Sequence, residues 1–251
     1  MTSPYDRSAG RYETRASRTL YGAVARDLAD LLPELGSARA LDLGCGTGIS
    51  TEVVVRARPS WQWFASDASA PMLEQARVKE TLGAVGWLLA RAEAMPLETG
   101  SLDVVVSSVA WHWFEEAQAL GEVRRVLRPG GYLLLAVPVR ATGAREGGNS
   151  AVRRALMALR HEGAVAVAPG WSVERLAGPF PGFVEGRIDR IDRSETYESP
   201  AAWLEALEAR GALVAMFGPA ATRARGVLER LLPDGPVAYR WAIARVVLTR
   251  A

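Results

Sequence analysis

From Ala40 to Gly48 the chain reads Ala-Leu-Asp-Leu-Gly-Cys-Gly-Thr-Gly. An apolar run ends in an acidic residue, three glycines follow at alternate positions, and helix formers begin. This is a strand turning sharply into a helix with bare backbone at the turn. Glycine there permits positive φ and lets a ligand reach the main chain without meeting a Cβ. Open N–H groups at a helix start favour a polar or anionic ligand group. A dinucleotide loop needs its third glycine at the position of Ile49, whereas here it falls one residue early at Gly48. Asp67 closes a second apolar run. A carboxylate there suits the two hydroxyls of a ribose, or alternatively a helix dipole. His112 stands between Trp111 and Trp113, with Phe114 next. An ordinary imidazole is a general base near neutrality, while one between two indoles is equally a packed ring. Trp111, Trp113 and Phe114 read as the lining of an apolar pocket or as core. No Cys/His/Asp group has metal spacing, so no metal is expected.

The elements that must position these residues alternate. Strands are predicted at Arg39–Leu43, Trp61–Ser66, Trp87–Ala90, Leu102–Ser107 and Tyr132–Val137, and later at Phe183–Ile191 and Val237–Leu248. Helices are predicted at Thr19–Leu32, Thr47–Arg58, from Ser69 as N-cap with Pro71 in the first turn, at Glu116–Leu127, Ser150–His161, Pro200–Arg210 and Pro219–Leu232. Leu127-Arg128-Pro129-Gly130-Gly131 reads as a helix-to-strand turn, and Gly143–Asn149 as a mobile stretch. The alternation implies an α/β fold: a doubly wound, mostly parallel Rossmann-like sheet. We expect a single domain over 1–251, divided into N-terminal helices at 1–36, a core at 37–139, a helical cap inserted after strand five at 140–182, and C-terminal strands and helices at 183–251.

Composition narrows the class. A length of 251 residues with 49% apolar content supports one sizeable core. No apolar run is long enough to span a bilayer, and the N-terminus lacks a signal core, so a cytoplasmic protein with no membrane partner is expected. Cys45 is the only cysteine, which suits a reducing compartment. A net charge of +2 gives no reason to expect nucleic acid.

Several of these stretches share a family likeness. Asp42-Leu43-Gly44-Cys45-Gly46-Thr47-Gly48 resembles the first motif of the class I S-adenosylmethionine (SAM) methyltransferases. Asp67-Ala68-Ser69-Ala70-Pro71-Met72-Leu73 is similar to their D-x-S-x-x-M-L. Arg91-Ala92-Glu93-Ala94-Met95-Pro96-Leu97 resembles their turn after strand three, with Arg91 where the family has an aspartate. The loop Ser107–Phe114 resembles one in which relatives carry a histidine beside the sulfonium pocket. The resemblance implies a seven-stranded sheet with its last strand antiparallel, and SAM as cofactor with S-adenosylhomocysteine (SAH) as product. It implies cofactor contacts from Asp42, Gly44, Cys45, Gly46, Gly48, Asp67, Ala68, Met72, Ala92, Glu93 and Ser108, and from Tyr12 in a segment that closes over SAM. His112 becomes the candidate catalytic base, with Trp111, Trp113 and Phe114 as the substrate pocket.

Such an enzyme transfers a methyl group in line to a small-molecule acceptor. Oxygen acceptors (carboxylate, enol or phenol) are favoured, and a carboxylate needs no base. Arg140, Arg145, Arg153, Arg154 and Arg160 are either a recognition surface for a carboxylate or a carrier-protein-bound acceptor, or a solvated face. The chain loosely resembles both malonyl-carrier-protein O-methyltransferases and trans-aconitate-type enzymes. Transfer to carbon or nitrogen, and SAM binding without transfer, are the alternatives.

Overall fold

A computed structural model describes residues 6, 9–139, 147–161, 173–176 and 180–251. Helices α1 (Ala9–Tyr12) and α2 (Arg15–Ala29) come first. α2 starts where the Thr14 hydroxyl accepts the Ser17 N–H at 3.0 Å, and it buries Leu20, Val24 and Leu28 along one face. Then follow β1 (Arg39–Leu43), α3 (Ile49–Ala57), β2 (Gln62–Asp67), α4 (Ala70–Arg77), β3 (Gly86–Leu89), β4 (Leu102–Ser108), α5 (Glu116–Val126) and β5 (Leu127–Val139). A 3-10 turn over Trp111–Trp113 sits between β4 and α5. The chain continues through α6 (Gly147–His161), α7 (Val173–Leu176), β6 (Phe183–Tyr197), α8 (Pro200–Ala209), α9 (Ala212–Phe217), α10 (Ala221–Leu231) and β7 (Val237–Arg250).

One seven-stranded sheet has the order β3-β2-β1-β4-β5-β7-β6. The pairs β1–β2, β1–β4, β2–β3 and β4–β5 are parallel. β6 and β7 run in opposite directions: Ala251 N–H donates to the Gly182 carbonyl, Gly186 faces Val247, and Asp189 pairs with Arg245. β1 and β4 are sheathed on both sides, so Leu41 and the Val104-Val105-Val106 run are fully buried, each contributing about 2 kcal/mol.

Two expectations change. Leu127–Gly131 is the irregular start of β5 and not a free turn: Leu127 pairs with Leu102, and the register shifts before Val104. Gly130 takes φ +75°, and a Cβ on Gly131 would lie 3.0 Å from the Asp103 carbonyl. Helix α6 starts at Gly147, inside the stretch expected to be mobile, of which 143–146 lie outside the described residues. Asn149 anchors its first turn, donating to the Arg240 carbonyl (2.9 Å) and accepting the Arg240 N–H (2.8 Å). Gly148 allows the approach, since a Cβ would stand 2.9 Å from Trp203 and Tyr239.

Contacts divide the described residues into two compact units, one from 1–138, 171–191 and 243–251, the other from 139–170 and 192–242. The second has its own core of Trp203, Leu204, Leu207, Phe217 and Leu228. Within it Arg210, 2% exposed, is clamped by both oxygens of Glu195 at 2.7 and 2.8 Å and donates to the Tyr197 hydroxyl at 2.9 Å. Trp241 Nε1 donates to the same carboxylate at 2.7 Å. In the first unit α2 packs on α3, and the carboxyl ends of β1, β2, β3 and β4 meet around a cavity.

Candidate active site

The cavity has a volume of about 460 Å³ and opens beyond the carboxyl ends of the parallel strands, where doubly wound sheets hold ligands. Its walls are Leu43–Thr47 after β1, Ser66–Ala68 at the end of β2, Ala90–Glu93 after β3 and Ser108–Ala110 after β4. Tyr12, Tyr21, Ile49, Ser50, Met72, Trp113 and Phe114 complete the lining.

The glycine turn holds its own shape. Gly44, Gly46 and Gly48 have φ of +75°, +54° and +84°. The N–H groups of Gly44 and Cys45 both donate to the Ser66 carbonyl (2.8 and 3.0 Å), that of Gly48 to the Cys45 carbonyl (2.9 Å), and that of Gly46 to Asp67 Oδ2 (2.8 Å). These donors are engaged, so the turn is not the open anion nest that its sequence suggests. What it offers is bare backbone: a Cβ on Gly46 would meet nothing within 4 Å and would project into open space.

Gly44 serves packing as well. A Cβ there would lie 2.5 Å from Ala110 Cβ and 2.9 Å from Phe114, so the loop after β4 closes on the turn only because that atom is missing. Gly44→Ala combines a disfavoured φ with overpacking, and the expected loss of unfolding free energy is about 2 kcal/mol. Urea denaturation measures it, with cofactor affinity falling in the same variant.

Asp67 ties the two first loops together. Its Oδ2 accepts from Gly46 and its Oδ1 from the Ser69 N–H at 2.9 Å. Burial raises its pKa, against the pull of the backbone donors. Ser69 caps α4 as expected, accepting the Met72 N–H. Met72, 2% exposed, is both core and wall.

Of the residues expected at the site, Tyr12, Gly44, Cys45, Gly46, Asp67, Ala68, Met72, Ala92, Glu93, Ser108, Trp113 and Phe114 line the cavity. Asp42, Gly48, His112 and Trp111 do not. Asp42 is fully buried behind the turn, where Oδ2 accepts the hydroxyls of Ser50 and Thr51, both at 2.7 Å. It fixes the first turn of α3. Burial pushes its pKa up to about 6 against those two bonds. A Cβ on Gly48 would stand 3.1 Å from Leu82 and 3.2 Å from Ala76, so Gly48 brings α3 against α4. Trp111 is wholly buried and belongs to the core, edge-on to Phe114 at 5.7 Å. The Cys45 thiol is pushed far up by burial and stays protonated.

His112 departs furthest from expectation. Its ring packs on Trp113 at 5.1 Å, its Nδ1 is buried without a partner, and burial lowers its pKa from 6.5 to about 4. The imidazole is therefore neutral throughout the neutral range and a weak base. The unfolded chain takes up this proton first, so His112 should cost stability as pH falls from 6.5 toward 4. His112→Gln is expected to flatten that part of the stability–pH curve. Thermal melts across the range check it, and an unchanged slope would mean an ordinary imidazole.

Sequence reading missed Tyr21, Thr47, Ile49, Ser50, Arg91 and Val109 among the lining residues. Tyr21 stacks on Tyr12 (5.7 Å between rings, 15° between planes), a pairing of two helices without local sequence signal. Arg91 Nε donates to Glu93 at 3.2 Å, and Glu93 also accepts the Glu115 N–H at 2.8 Å, fixing the start of α5. Val109 has φ +56°, a conformation costly for a β-branched residue, and is held there by its N–H bond to the Ala136 carbonyl at 2.8 Å. Of the five arginines, Arg153 and Arg154 are exposed on α6, Arg154 donating to the Leu231 carbonyl. Arg140, Arg145 and the Arg160 side chain lie outside the described residues.

Residues 41–135 match the family model described as a methyltransferase domain. Over 217 residues the chain is 35% identical to the malonyl-[acyl-carrier protein] O-methyltransferase of Alcanivorax borkumensis, covering 84% of this chain and 70% of that one. The chain belongs to the class I SAM-dependent methyltransferases. It is also 32% identical to the biotin biosynthesis bifunctional protein BioCD of Bordetella avium, over 95% of this chain and 50% of that one. Among solved structures, a methyltransferase-fold protein from Anaeromyxobacter dehalogenans has TM-score 0.58 at 24% identity, covering 92% of this chain and 94% of that one. The [4+2]-cyclase SpnF has TM-score 0.54 at 18% identity, over 94% and 82%. The methyltransferase uses SAM, and its cavity suits that cofactor: the bare Gly46 backbone admits close approach, and SAM carries no phosphate to demand free amide donors. Among the described residues no helix is long and apolar enough to cross a membrane.

Proposed function

We propose that this methyltransferase transfers a methyl group to the oxygen of a small carboxylate, presented on a carrier protein. The observation that carries the reading is the absence of a ready base among the described residues of the cavity wall. Its titratable side chains are Tyr12, Tyr21, Cys45, Asp67, Arg91 and Glu93. The Cys45 thiol stays protonated, Asp67 is fixed by two backbone donors in the position assigned to the ribose, and Glu93 is held by Arg91 and the Glu115 N–H. His112, outside the wall, has lost most of its basicity. A carboxylate arrives ionised and asks for no proton removal. The malonyl-carrier relative points to the same acceptor chemistry and to carrier presentation.

Bound in the cavity, SAM supplies a methyl group on a sulfonium leaving group. The residues do the holding. Asp67 keeps lone pairs free on both oxygens and accepts the ribose hydroxyls, and Met72 and Ala92 flank the adenine. Gly46 gives room to the aminoacid end beside Gly44, and Tyr12 covers it. Trp113 and Phe114 keep water from the transfer and set the acceptor's approach.

Release of SAH should be followed with a carrier protein charged with malonate, free malonate, phenols and amines. Turnover with the charged carrier alone, or with it and free carboxylates, supports the reading. Turnover confined to phenols or amines would replace it with a base-assisted transfer.

A further inference from the structure

Lys79 is the only lysine in a chain whose other basic side chains, histidines aside, are all arginine, and it belongs to an ion quartet. Its ammonium donates to Glu13 at 2.5 Å and to Glu52 at 3.1 Å. Arg18 on α2 donates to the same two carboxylates, at 2.5 and 3.2 Å, and Thr81 adds a bond to Glu52 at 3.2 Å. The quartet thus joins the residue after α1 to α2, α3 and the turn after α4. Lys79, Glu52 and Glu13 are only 13, 12 and 22% exposed, so these contacts are less screened than surface pairs. Burial alone would raise the Glu13 pKa, yet the hydrogen bond and charge of Lys79, with hydrogen bonds from Thr47 and Arg18, bring it below the ordinary value.

Glu13 adjoins Tyr12, which lines the cavity and stacks on Tyr21. A second tie reaches the same segment: Ser69 Oγ, on the residue that caps α4, donates to Asp6 at 2.7 Å. α1 packs on α4 between these ties.

We propose that Glu13 and Lys79 are positioning residues that hold Tyr12 over the cofactor, so that this ion quartet sets how fast cofactor and product leave. Neither residue lines the cavity itself, and both act through the segment that carries Tyr12. The inference rests on the cavity being the SAM site. A lysine suits the post because a compact ammonium can serve two carboxylates on different elements at once.

The test is the dissociation rate of SAH, measured by stopped flow for the unmodified protein, Glu13→Gln, Lys79→Gln and Lys79→Arg. Both glutamine variants should release SAH about tenfold faster, the loss of one charge-assisted bond, and Lys79→Arg should recover most of it. In the unmodified protein Lys79 carries the only side-chain amine, so its acetylation by an N-hydroxysuccinimide ester, read by peptide mass, should slow when SAH is bound. This second readout stands if a variant fails to fold. Folded variants with unchanged release rates, or acetylation indifferent to SAH, would overturn the proposal. Failure of the unmodified protein to bind SAH would overturn the cavity assignment itself.

Discussion

Asp67→Ala should raise the Kd for SAM by about two orders of magnitude. Two charge-assisted bonds to ribose hydroxyls are lost, together worth about 3 kcal/mol, and the Gly46 N–H loses its acceptor. Isothermal titration with SAH measures the effect. Asp67→Asn keeps an acceptor for only one of the two backbone donors and loses the charge, and should fall between wild type and Asp67→Ala. Near-wild-type affinity in a folded Asp67→Ala protein would remove the carboxylate from the ribose.

Glu195→Leu is the other large loss, and it concerns stability alone. Arg210 would keep its buried guanidinium with the bidentate carboxylate partner gone, at a cost of about 4 kcal/mol. Trp241 also loses the acceptor of its indole N–H. Guanidinium denaturation followed by tryptophan fluorescence reports it, since Trp203 and Trp241 lie in the same unit. Adding Arg210→Met should restore much of the loss, because no uncompensated charge then stays inside. A double variant as unstable as the single one would show that packing, and not charge, is at stake.

Where local signals coincide, the sequence was read to within a residue or so. β1 spans Arg39–Leu43 as expected, because an apolar run meets three glycines that cannot continue a strand. Ser69 and Pro71 place the start of α4 through capping chemistry carried by the residues themselves. The helix expected from Thr47 begins only at Ile49, since Gly48 takes a left-handed φ as its N-cap. Depth is what residue types do not carry. Asp42 and His112 look like ligands or bases by type, yet their roles follow from burial set by chain segments far away. The same holds for Glu195, Arg210 and Trp241, which come from three elements and meet only after folding.

The self-bonded glycine turn has a metabolic consequence. A mould whose amide donors are already paired needs no ligand to take shape, so ordering costs little when one enters. The parts it would grip, ribose, adenine and the aminoacid tail, are common to SAM and SAH. Grip of that kind is spent equally on reactant and spent cofactor, and does nothing to expel the latter. If the turn grips those shared parts, SAH should compete with SAM at comparable affinity, and turnover should follow the ratio of the two nucleosides more closely than the supply of SAM.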